Sequence, residues 1–241
     1  AAAKTNHHFG LLPDAIMPAV TQACQEVIDG KLNDQFPVDM FQGGAGTSVN
    51  MNANEVIANR ALEIMGYSKG DYQHCLPNDH INCSQSTNDA YPTAIKIAII
   101  NMNKQLLAAL RALVDALREK GKAFADIIKM GRTQLQDAVP MTLGQEFDAF
   151  AATLGDNENR LTAAAKLLHE INMGGTAIGT GLNAPKGFPA LCAENLSAIT
   201  GDTFIPSTDL IAATPNTGDY VSYSSALKRF AIELSKVCND L

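Results

Sequence analysis

The chain has 241 residues, 46% of them hydrophobic and 18% charged, enough apolar material for a sizeable core in one or two domains. A net charge of −7 and a pI near 5.2 give no attraction to phosphate backbones, and no Lys/Arg run is interleaved with aromatics, which argues against nucleic acid as a partner. The long apolar runs are broken by Lys, Asn, Gln or Asp, and the opening AAAKTNHHFG has no signal-peptide core, so the expectation is a cytoplasmic protein with no membrane partner.

Helical sequence is present from the first residues. Residues 13–30, PDAIMPAVTQACQEVIDG, predict a short helix that Gly30 ends and Pro18 weakens. After a loop, residues 52–65 predict a helix stopped by Gly66. From residue 91 to about 122, Ile95, Ile99, Met102, Leu106, Leu110, Leu113 and Leu117 recur at steps of three or four, a helix seam. Thirty residues make a rod of roughly 45 Å, which must pack along other long helices. A second rod is predicted from residue 142 to about 172, with Phe147, Phe150, Leu154, Leu161, Leu168 and Ile171 on its buried face, and a third starts near Tyr220. Alternating strand patterns are scarce. The expected class is all-α, a long-helix bundle with a smaller N-terminal helical region.

Five cysteines, Cys24, Cys75, Cys83, Cys192 and Cys238, form no CxxC pair and fit reduced thiols. In HCLPNDHINC, His74, Cys75, His80 and Cys83 offer metal-ligand chemistry at a spacing that matches no standard zinc module. The preferred reading is therefore no metal and no cofactor.

Four segments gather small polar groups without apolar periodicity: GGAGTSVNMNANE (43–55), SQSTND (84–89), GRTQLQDAVP (131–140) and GGTAIGTGLNAP (174–185). Each is predicted at a helix start or in a loop between helices, where free backbone N–H groups can cap or bind an anion. Between Asn82 and Asn88, six of seven side chains are hydroxyls or amides. A cap uses one or two, so the surplus is expected to face water or a polar ligand.

Together the four segments, in their order and spacing, resemble the family of fumarase, aspartase and related lyases. The likeness is strong from about residue 42 onward. GRTQLQDAVPMTLGQEF and SQSTND are similar to the aspartase (aspartate ammonia-lyase) branch, whereas the fumarase pattern has His in place of Gln134 and Ser in place of Thr87. The resemblance implies reversible elimination of ammonia from L-aspartate to give fumarate through a dianionic enediolate. That charge calls for many neutral donors aimed at one carboxylate. The alternatives are a class II fumarase, acting on malate, and a non-catalytic helical scaffold.

The resemblance places Thr47, Ser48, Ser86 and Thr87 around the carboxylate next to the carbon that loses its proton, with Ser86 and Thr87 nearest the chemistry. It places Asn88 at the amino group, Thr133 and Gln134 at the other carboxylate, and Asn183 in support from a neighbouring subunit. It further implies a homotetramer whose active sites are shared among subunits, with residues 1–86 in an N-terminal lyase domain and 87–241 in a central bundle domain. The family's general base, a Ser in a GSSxMPxKxN motif, is absent from this sequence. The expectation is a fragment that is inactive alone. Arg132 is expected to tie loops, Asp89, Asp137 and Glu146 to offset helix dipoles, and His169 to pack or face solvent.

Overall fold

The computed structural model describes residues 1–39 and 46–241, and residues 43–45 of the first polar segment lie outside the described residues. Helix accounts for 63% and strand for 7%, an all-α fold. The chain divides into two compact units, Ala1–Lys96 with His169–Asn216, and Ile97–Leu168 with Thr217–Leu241. These units do not mark the boundary expected at residues 86/87, which concerns whole lyase domains.

In the first unit, α1 (Ala2–His8), α2 (Met17–Ile28) and α3 (Thr47–Ile64) precede a single π turn at Pro77–Ile81. Helix α2 starts four residues later than the composition predicts. Pro18 sits in its first turn, where a missing N–H costs nothing, so it marks the start of the helix and does not weaken it. Helix α3 starts five residues earlier than predicted, behind Gly46 at φ 83°. Helices α2 and α3 meet through Ala19, Val20, Ala23, Ala58, Ala61 and Leu62, all buried, with Cys75 and Ile81 closing the cluster. Small side chains allow that close approach, and Arg60 clamps it by donating to both carboxylate oxygens of Glu26 at 2.5 and 3.2 Å.

Helix α4 (Thr87–Ala123) leaves the first unit and supplies the second. There it shares one core with α5 (Leu143–Leu167) and α8 (Gly218–Asp240), built from Leu107, Leu110, Val114, Leu117, Leu154, Leu161, Phe230 and Val237. The buried stripe of α4 passes through Ile100, Asn103, Leu107, Leu110, Val114 and Leu117. It therefore lies partly beside the predicted seam, and Met102 is 68% exposed. Part of α4 reaches a mean hydropathy of 1.3, enough by length and composition to cross a membrane, contrary to the expectation that every apolar run stops short. Of that apolar stretch 28% is buried inside the chain, and Asn103 on the same helix accepts from the Tyr223 hydroxyl at 3.0 Å. Helix α5 begins at a capping box, in which Thr142 Oγ1 accepts from Gln145 N and Gln145 Oε1 accepts from Thr142 N. It ends at Leu167, short of the predicted residue 172.

Between α4 and α5 stands an antiparallel hairpin, β1 (Ile128–Thr133) and β2 (Gln136–Thr142). This corrects the third polar segment, expected as a loop or cap. Gln134 and Leu135, with φ of 50° and 65°, make the two-residue turn whose twist suits paired strands. After α5 come β3 (Glu170–Ile171), which pairs in parallel with β4 (Ile205–Pro206), then α6 (Phe188–Thr200) and α7 (Leu210–Ala213). Helix α6, absent from the sequence reading, is bounded by Gly187 and Gly201, both at positive φ, and buries Phe188, Cys192 and Ala193.

Candidate functional site

The start of α3, the 84–89 segment and the loop after β3 converge in the first unit. Thr47 and Ser48 are the exposed first residues of α3. One turn on, Asn50 Nδ2 donates to Thr87 Oγ1 at 3.1 Å and to Asn82 Oδ1 at 3.2 Å, and Asn54 Nδ2 donates to the same Asn82 oxygen at 3.0 Å. These carboxamides fasten α3 to the first residue of α4. Gly46 permits it: a Cβ there would sit 2.4 Å from the Tyr91 ring, and its φ already disfavours any side chain.

The hydroxyls at the start of α4 have defined roles. Thr87 is buried and accepts from Asn50, which leaves its own proton to give away. Ser86 Oγ accepts from the Asn88 N–H at 3.2 Å and likewise keeps a proton to donate. Asn88 Nδ2 donates to the Ala177 carbonyl at 2.7 Å, so its Oδ1 is the atom turned away from that loop. Helix geometry would have the N–H of residue 92 serve the Asn88 carbonyl, but Pro92 has none. Asn172 Nδ2 supplies the missing donor at 3.0 Å.

The polar surplus of residues 82–88 is thus largely engaged inside the protein, which corrects the expectation that most of it faces water or ligand. Gln85 Nε2 donates to the Ile81 carbonyl at 2.8 Å and Asn82 accepts from α3. Among the described residues, Ser86, Thr87 and Asn88 each keep one side-chain donor or acceptor unengaged. Asn183 is exposed at φ 71°, and among the described residues its side chain makes no hydrogen bond to this cluster. Thr133 and Gln134 belong to the other unit, exposed at the hairpin tip.

Asp89 does more than offset a dipole. Its carboxylate is fully buried; Oδ1 accepts from Ser86 N at 2.9 Å, and Oδ2 from Gly174 N at 3.1 Å and Thr176 N at 2.9 Å. Burial pushes its pKa up to about 6 against the opposing pull of those N–H groups. Asn50, Asp89, Asn172 and Thr176 are the participants that sequence reasoning missed as site residues. The available signal was NMNAN at the start of a helix, since Asn is a weak helix former that favours caps and turns.

Asp137 lies in β2 and not at a helix start, which corrects its expected role at a helix dipole; it meets Arg132 at 3.4 Å across the hairpin, both exposed. Glu146 is in the first turn of α5 and accepts from Lys129 at 2.5 Å. His169 packs against Phe204. His74 stacks on Tyr67, Cys75 is buried, and His80 Nδ1 accepts from Leu76 N. Among the described residues no three His, Cys, Asp or Glu side chains converge as a metal site would need.

A family model described as lyase matches residues 1–241. The aspartate ammonia-lyase of Pseudomonas aeruginosa is 56% identical over 100% of this chain and 51% of its own length. The crystal structure of fumarate lyase:delta crystallin from Brucella melitensis bound to cobalt is 52% identical, with a TM-score of 0.98 over 99% of this chain and 52% of that one. The class II fumarase from Schistosoma mansoni is 34% identical, with a TM-score of 0.94 over 99% of this chain and 53% of that one. The chain spans about half the length of the curated relatives it matches. With a match along its whole sequence and a donor cluster built from three of the four polar segments, the chain belongs to the fumarase/aspartase family of lyases.

Proposed function

We propose that this chain supplies substrate-binding segments of an aspartate ammonia-lyase, a carbon–nitrogen lyase that eliminates ammonia from L-aspartate to give fumarate. The observation that carries the reading is the pairing of Asn50 with Thr87, which commits the Thr87 oxygen as acceptor and leaves its proton as donor. Thr87, Ser86, Thr47 and Ser48 give a substrate carboxylate neutral donors. Such donors bind more tightly as the carboxylate becomes a dianionic enediolate, so they favour the transition state over the ground state. Asn88 presents Oδ1, an acceptor suited to the ammonium group that departs. Thr133 and Gln134 would serve the second carboxylate and Asn183 would support the site. The proton acceptor is expected from a Ser that this sequence does not contain, so the chain alone is expected not to turn over.

We also propose a homotetramer with shared active sites. Met102, Val221 and Ile232 on the long helices are 60–68% exposed, apolar faces suited to further copies. Cytoplasmic residence is likewise our reading, supported by five unpaired cysteines, the usual state in a reducing compartment. The test offers L-aspartate and L-malate to the full-length protein while fumarate is followed by ultraviolet absorbance. Ammonia release from aspartate with essentially no activity on malate is expected. The basis is Gln134: a carboxamide cannot exchange a proton with departing hydroxide as imidazole can. Comparable rates on both would reassign the protein as a fumarase, and inactivity on both would leave a helical scaffold.

A further inference from the structure

Two unusual features of the loop after β3 coincide at Thr176. Thr176 is a β-branched residue in the left-handed region, at φ 56°, and its buried hydroxyl has no hydrogen-bond partner among the described residues. Both are unfavourable, the conformation because a β-branched side chain crowds the backbone there and the hydroxyl because its lost hydration is not replaced. What the arrangement secures is the direction of the Thr176 N–H, which points at Asp89 Oδ2 beside the Gly174 N–H. Gly179 seals the loop: a Cβ there would lie 2.3 Å from Leu210 O and Ile211 Cα. The loop then delivers the Ala177 carbonyl to Asn88 Nδ2. Asp89 is therefore the fixed point from which Ala177, and through it the Asn88 carboxamide, takes its orientation.

We propose that Asp89 is a positioning residue for the elimination: its buried carboxylate fastens residues 174–176 to the first turn of α4 and so sets which atom of Asn88 meets the substrate amine. This rests on the lyase reading above. Asp89 touches no substrate. It acts because a carboxylate has two acceptor oxygens and no donor, matching three converging N–H groups. An amide in its place would set an NH2 against at least one of those N–H groups.

The experiment uses the full-length protein and Asp89→Asn, with Thr176→Gly as a gentler variant that keeps the N–H but removes the side chain that restricts it. Amide hydrogen exchange across residues 172–181 is expected to quicken at least tenfold in Asp89→Asn and less in Thr176→Gly, while exchange in α2 stays as in the parent. The KM for L-aspartate should rise at least tenfold, whereas inhibition by fumarate, which has no amine, should be unchanged. Combined with Asn88→Ala, Asp89→Asn should add little further loss, because both act through one contact. Equal weakening toward aspartate and fumarate, or additive losses in the double variant, would overturn the proposal. Should Asp89→Asn fail to fold, exchange of the Gly174 and Thr176 amides in the parent, the two that Asp89 Oδ2 accepts from, would overturn it if it were as fast as in unprotected loop amides. Inactivity of the parent on L-aspartate would sink the lyase reading, and the exchange measurement would still decide whether Asp89 holds the loop.

Discussion

In its first turn α4 buries Thr87 and Asp89, whereas five turns later the same helix buries Leu107, Leu110, Val114 and Leu117. The apolar stretch is held by area removed from water, which has no preferred direction and tolerates side chains of similar volume. The polar turn depends on donors and acceptors that match one to one, where losing a partner strands the other. Backbone strain follows the same division. Among the described residues, the five non-glycine positions with left-handed φ, Ser84, Gln134, Leu135, Thr176 and Asn183, fall in the polar segments, and none falls in a helix. Regions that stabilise the molecule are relaxed, and regions assigned to chemistry are over-determined by their neighbours.

The sharpest way to separate the two regions is Thr87→Ala in the full-length protein. Turnover on L-aspartate is expected to fall roughly a hundred- to a thousand-fold, about 2.7–4 kcal/mol, with KM changed far less. A raised KM with turnover intact would make Thr87 a ground-state binder or a cap. Leu154→Ala attacks the opposite region: Leu154 is fully buried, so chemical denaturation should show a loss of about 2–5 kcal/mol. Turnover per folded molecule should stay near the parent value, and a matching fall would remove the distinction between the regions.

A third measurement uses pH. The Asp89 pKa rises from 3.8 to about 6 on folding, so between those values the folded chain binds more protons than the unfolded one. Its contribution to stability is full below pH 3.8 and is lost as pH rises through 6, on the order of 3 kcal/mol over the window. The difference in denaturation free energy between the parent and Asp89→Asn should shift by that amount from pH 4 to 7 and be flat above. A flat difference throughout would mean that the N–H groups outweigh burial. The smallest effect expected is Thr142→Ala, which removes the capping box of α5 and should lower stability by about 1 kcal/mol. Turnover should not respond.

Periodicity in the sequence was enough to show three long helices, because the apolar face of a rod repeats every three or four residues regardless of what it meets. The four polar segments were legible by the same logic inverted, as stretches with no face at all. Tertiary structure decided the rest. The 131–140 segment became a hairpin because Gln134 and Leu135 accept left-handed φ, a choice that residue types alone do not reveal. Helix α6 was hidden because residues 188–200 carry a mixed pattern whose burial depends on α1, where Asn195 meets Thr5 at 3.0 Å. Asp89 was readable only as an acidic residue at a helix start. Its partners Gly174 and Thr176 lie more than eighty residues away in the chain. Hydrogen-bond matching across such separations leaves no local pattern, so it was the fold that showed which hydroxyls and amides are already engaged inside the protein.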